Sequence, residues 1–149
     1  MTDNKTLGIE RTFQAPVEAV FDAWTSEEVL RRWWHTEHSW ETSEAEVDLR
    51  VGGVVRVVMR DPNKNVEYGG GGTYTEIEPP TRLAFTWIWD GNTTRQLIEL
   101  DFEETGGVTT VRFTHSGLWD EEAVRSHEEG WGSAFDNLER TLATARPGR

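Results

Sequence analysis

Apolar residues change their spacing three times between the two ends of this chain. Leu7, Ile9 and Phe13 alternate with polar neighbours, which predicts a strand over Leu7–Gln14. Pro16 then opens a helix at its first helical position, where no N–H partner is needed, and Val17, Val20, Phe21 and Trp24 share one face. Thr25 and Glu28 fit a capping box for a second short helix carrying Val29, Leu30, Trp33 and Trp34. From about Glu44 to His115 the period falls to two. Val55, Val57 and Met59 form one row, and Leu83, Phe85, Trp87 and Trp89 form another. Strands through Tyr74–Ile77, through Ile98, Leu100 and Phe102, and through Val111, Phe113 and His115 complete the run. Turns are expected at Asp61–Asn65, at Asp90-Gly91-Asn92 and at Thr105-Gly106-Gly107. The spacing then returns to three and four: Val124, His127, Trp131, Ala134, Phe135, Leu138 and Leu142 make one stripe about five turns long. Asp120 is placed to cap that helix, with Glu121 and Glu122 in its first turn. Gly130 and Gly132 interrupt it at ~1 kcal/mol each relative to Ala, a cost that suggests close approach to the sheet or space beside Trp131.

The order is strand, two short helices, about six antiparallel strands and one long helix. A sheet with one apolar face must cover it, and only the last helix is long enough to do so. This is an α+β grip: a curved antiparallel sheet of six to seven strands around a long C-terminal helix, the short helices closing one end. No internal repeat or linker interrupts 149 residues, so residues 6–145 read as one domain and residues 1–5 and 146–149 as tails.

Composition alters this outline in two places. Lys and Arg number 15 against 27 Asp and Glu, a net charge of −12, which argues against nucleic acid. The absence of cysteine excludes disulfides and thiolate chemistry, and no apolar run approaches a membrane span. With no signal-peptide pattern in Met1–Lys5, a cytoplasmic protein is expected. The second feature is eight tryptophans, each removing ~150–250 Å² from water when buried. They build either a bulky core or the walls of a cavity, and composition does not choose between the two.

Four segments taken together resemble a known family. They are Ala15–Thr25, Leu30–Trp34, the run Glu76–Trp87 with its Pro79-Pro80-Thr81-Arg82-Leu83 centre, and His127–Trp131 followed by Leu138. In order and spacing these resemble bacterial homologues of the heat-shock-protein-90 ATPase activator, within the START / Bet v 1-like (SRPBCC) superfamily, over about Thr6 to Leu142. The resemblance implies a helix-grip fold with a hydrophobic cavity between sheet and last helix. It implies, too, a choice of roles: binding of lipid-, sterol- or polyketide-like molecules, stimulation of a chaperone ATPase, or cyclase, hydrolase or resistance activity.

The expected cavity wall is Phe85, Trp87, Trp89, Phe113, His115, His127 and Trp131, from strand parity and the helical stripe. The aromatics would supply contact area. His115 and His127 are either hydrogen-bonded core groups or the few polar anchors of a pocket. Trp33, Trp34 and Trp40 either form the entrance or staple the short helices. His35 and His38 flank Thr36-Glu37, but no zincin spacing is present, and they read as histidines in an exposed loop rather than metal ligands. Gly69–Gly72 lacks the Gly-Lys-Ser/Thr ending of a phosphate loop and marks a bend in the sheet. Ser116 and His115 point to opposite strand faces, and no Gly-x-Ser-x-Gly occurs. The expectation is therefore a non-catalytic binding protein, without metal or cofactor. Its partner would be a small apolar ligand, neutral or cationic given the charge, or else a chaperone, and its state a monomer or homodimer.

Overall fold

The computed structural model describes residues 5–37 and 39–145. Residues 1–4, His38 and residues 146–149 lie outside them, so the expectations for the outer tail residues and for His38 do too. Lys5, expected in a tail, already belongs to the first strand. The elements are β1 (Lys5–Phe13), α1 (Val17–Thr25), α2 (Glu27–Trp33), β2 (Glu41–Val47), β3 (Val54–Asp61), β4 (Val66–Glu78), β5 (Arg82–Trp89), β6 (Gln96–Thr105), β7 (Val108–Leu118) and α3 (Glu121–Ala145).

The strands form one antiparallel seven-stranded sheet in the order β1-β7-β6-β5-β4-β3-β2. Six consecutive strands meander, and β1 adds to the far edge against β7, with Ile9 opposite Phe113. The sheet curves around α3, giving the helix-grip fold. The turn after β6 is the one expected: Gly106 and Gly107 take φ of 60° and 84°, the left-handed region that only glycine occupies freely.

Two helix starts differ from expectation in detail. Pro16 is the residue before α1, not its first turn, with ψ of 156°. The free Val17 N–H is satisfied from across the fold by Glu104 Oε1 at 2.8 Å. α2 is capped by Ser26, whose hydroxyl accepts from Val29 N–H, while Thr25 donates back to Phe21 O. The cap is therefore Ser26 rather than Thr25, which still belongs to α1, and with Val29 three residues on there is no side chain to close a capping box. Asp120 does cap α3, accepting from Ala123 N–H at 2.7 Å.

The core lies between the inner face of the sheet and α3, with α1 and α2 at one end. Trp24 is its hub: its ring lies 4.6 Å from Trp33, 5.8 Å from Trp34, 6.0 Å from Trp131 and 5.9 Å from Phe135. Aromatic pairs at such centroid distances add about 0.5–1.5 kcal/mol each beyond area burial. The glycine run sits inside β4, where backbone and rings approach closely. A Cβ at Gly70 would come 2.7 Å from the Trp87 ring, and one at Gly72 2.0 Å from Thr86 O. Next to Gly72 the β4–β5 ladder is interrupted, and Thr73 N–H bonds the Thr86 hydroxyl instead. The run thus serves a sheet distortion, as the strand context implied. Among the described residues, no helix is long and apolar enough to cross a membrane.

Candidate ligand cleft

α3 packs against β1, β7, α1 and α2. On the side facing β3, β4 and β5 it leaves a cleft of about 480 Å³ that opens to solvent. Four pieces of chain build it: the segment after α2 (Trp34, Thr36, Glu37, Trp40), the β3–β4 hairpin (Met59, Tyr68), the end of β5 (Trp89) and the first half of α3. From α3 come Ser126, His127, Glu129, Gly130, Trp131, Ser133 and Ala134.

Of the seven residues expected to line a cavity, Trp89, His127 and Trp131 do so. Phe85, Trp87, Phe113 and His115 point to the inner face as parity requires, but they lie beneath the cleft in packed core, each no more than 1 % exposed. The reason is coverage by other rings. Trp34 stacks on Trp87 at 5.3 Å and 30°, and Trp131 lies 4.6 Å from Phe113. The deep space expected between sheet and helix is thus occupied by side chains, and the ligand-sized opening is displaced toward solvent. Trp33, one of the residues considered for an entrance, is fully buried and donates its indole N–H to Ala23 O at 2.9 Å.

Trp34 and Trp40 reach the cleft, as the entrance reading had it. Met59, Tyr68, Thr36, Glu37, Ser126, Glu129 and Ser133 were not anticipated. Tyr68 shares the parity of Val66 and Gly70 in β4, so its face was available, but the glycines conceal the strand. Tyr68 and Trp40 stack at the rim, with centroids 5.3 Å apart and ring planes 7° from parallel.

The polar centre is a pair of histidines whose rings lie 5.1 Å apart. Trp131 Nε1–H donates to His115 Nδ1 at 3.0 Å, which leaves His115 Nε2–H to donate to Gln96 Oε1 at 2.7 Å. Gln96 is oriented for this by its own amide, which donates to Thr94 O. In parallel, Trp89 Nε1–H donates to His127 Nε2 at 3.1 Å, and His127 Nδ1–H donates to Ala123 O at 2.7 Å. Both imidazoles are therefore neutral, each holding one indole N–H. Burial, with the neighbouring His127 adding to it, pushes His115 down to about 3. Burial lowers His127 as well, opposed by its bond to Ala123 O.

His35, expected in an exposed loop, is instead buried, with Nδ1 3.2 Å from the Thr42 hydroxyl and its carbonyl accepting from the Asn137 amide on α3. No group of three or more His, Asp or Glu among the described residues is placed to hold a metal ion. Gly130 lets α3 approach the segment after α2 rather than the sheet: a Cβ there would meet Thr36 Cγ2 at 2.9 Å. A Cβ at Gly132 would meet nothing within 4 Å, and the carbonyl of that residue accepts instead from Arg11.

Comparison with known proteins gives this architecture a family. The model of the family "Activator of Hsp90 ATPase homolog 1-like protein" matches residues 14–143. The chain belongs to that family. No curated protein matches it at a significant level. Among solved structures it is similar to the AHSA1 protein from Silicibacter pomeroyi, at 27% identity and a TM-score of 0.84, over 95% of this chain and 100% of that one. It is similar as well to the AHSA1-like protein from Aeromonas hydrophila, at 26% identity and a TM-score of 0.82, over 97% of this chain and 98% of that one. A protein from Chromobacterium violaceum shares the fold at 20% identity, with a TM-score of 0.85, over 93% of this chain and 97% of that one. As an AHSA1-like protein, the chain has the helix-grip fold of the Bet v 1 / SRPBCC superfamily.

Proposed function

We propose that this AHSA1-like protein binds a small, largely apolar ligand in the cleft between α3 and the β3–β5 side of the sheet. The observation that carries the reading is the contrast of lining and access: Trp34, Trp40, Tyr68, Trp89 and Trp131 surround about 480 Å³ open to solvent. Pockets for small molecules have that size and that mix of aromatic wall with a few polar groups. Binding is favoured over catalysis because both nitrogens of His127, the imidazole of the cleft, are already engaged, leaving no lone pair to take a substrate proton. A cyclase, hydrolase or resistance role that used His127 as its base would need that imidazole to be freed. Action as a monomer or homodimer in the cytoplasm belongs to the same proposal.

The test is a titration with a broad panel of aromatic, sterol-like and polyketide-like compounds, read by indole N–H signals in ¹H–¹⁵N spectra. Ligands are expected to move the Trp89 and Trp131 indoles and leave Trp33 in place. A panel that moves no indole would overturn the reading. A second role, modulation of the heat-shock-protein-90 ATPase, is supported by family membership. It is checked by an ATPase assay with the purified chaperone, and stimulation without any cleft ligand would favour it.

A further inference from the structure

The rim of the cleft is not electrically neutral. Glu37 approaches from the segment after α2 and Glu129 from α3, and neither forms an ion pair among the described residues. Carboxylates elsewhere are differently placed: Glu76, Glu99 and Asp101 converge on Arg82, and Glu44 and Asp90 on Arg56. Among the described residues no lysine or arginine lines the cleft, and the whole chain carries a net charge of −12. The same cleft wall carries aromatic rings, including the parallel Trp40–Tyr68 stack. Aromatic faces carry negative potential and attract ammonium groups, Trp most strongly. An anionic head such as a fatty-acid carboxylate would face Glu37 and Glu129 with no lysine or arginine among the described lining residues to meet it. A neutral ligand would leave both carboxylates unused.

We infer that the cleft selects an organic cation, an amine or quaternary ammonium carried on an aromatic or branched apolar body. The ring walls hold the body and the cationic head sits at the rim between Glu37 and Glu129. The inference rests on the ligand-binding reading above and names the chemical class of that ligand.

The experiment compares (2-naphthylmethyl)trimethylammonium with 2-neopentylnaphthalene, which has the same shape and a carbon in place of the charged nitrogen. The expected result is about tenfold tighter binding of the cation, the range that cation–π contact with partial desolvation supplies. That preference should shrink about threefold or more in the E37Q/E129Q double variant and fall with added salt. Both residues are exposed, so the double variant is expected to fold. Equal or tighter binding of the neutral isostere, or a preference unchanged in the double variant, overturns the cation inference and leaves the cleft as an apolar site. Binding of neither probe overturns it too; the ligand-binding reading falls only if the broad panel is silent as well.

Discussion

Trp24 and Trp40 carry the same side chain and do opposite work. Trp24 sits among Trp33, Trp34, Trp131 and Phe135 with 2 % of its surface exposed, and its indole N–H has no acceptor among the described residues. Trp40 is half-buried, stacked on an exposed Tyr68 at the edge of an open cleft. The first is used for volume, at the cost of one orphaned donor. The second keeps a face available. Within a short distance along α3, the fold passes from a filled interior to a receptive one, and the aromatic excess divides between them.

The largest effect that separates the two regions is truncation. Trp24→Ala should destabilise the protein by about 3–5 kcal/mol, the usual cost of removing a large buried ring. Trp40→Ala should cost about 1 kcal/mol or less and instead weaken binding in the cleft. Chemical denaturation measures both, and similar losses for the two variants would erase the distinction between core and cleft. Trp24→Phe sharpens it further, because it removes the unpaired N–H, whereas Trp33→Phe removes a donor that is bonded to Ala23 O.

The next effect is on acid stability. His115 and His127 are neutral in the folded protein, with His115 held near 3 and His127 also below its ordinary value. The unfolded chain takes up protons on both as pH falls through 6.5, the ordinary histidine value, and the folded one does not. Their contribution is therefore complete above about pH 6.5 and is lost as pH drops towards 3. One pKa unit is worth about 1.4 kcal/mol, so the loss over that window reaches several kcal/mol. Denaturation midpoints between pH 7 and 4 should fall steeply, and ¹⁵N spectra should show His115 staying neutral until the protein unfolds. A His115 ring that titrates near pH 6.5 in the folded state would break the account.

These two regions differed in how legible they were. Alternation in β5 was enough to send Phe85, Trp87 and Trp89 inward, because strand parity fixes the face of a sheet. Parity carries no information about depth along the groove. Only Trp89, at the end of its strand, reaches the cleft, and Trp34 covers Trp87. Trp34, expected within the second helix, is instead the residue just after α2, where helical spacing no longer fixes the direction of its ring. Tyr68 was hidden for a related reason: glycines supply no apolar signal, so the pattern marks a strand only from Tyr74, whereas β4 begins at Val66. The pairing of each histidine with an indole depends on the meeting of α3 with β5 and β7, which no local pattern encodes.

The smallest effect tests whether the boundary between the regions is set by backbone contact. Gly130 and Gly132 have the same propensity cost within α3, about 1 kcal/mol each relative to alanine. Their surroundings differ. The space around a Cβ at Gly132 is open, so Gly132→Ala should stabilise by about 0.5–1 kcal/mol, seen as a raised Tm. At Gly130 the added methyl meets Thr36 at 2.9 Å, and Thr36 is part of the cleft wall. The helical gain there is offset by displacement of the segment after α2, so Gly130→Ala should raise Tm less or lower it, and alter ligand affinity in the cleft. If Gly130→Ala stabilised as much as Gly132→Ala with affinity unchanged, the approach of α3 to Thr36 would not shape the cleft. The packing of Trp34 over Trp87 would then be what separates the filled interior from the open rim.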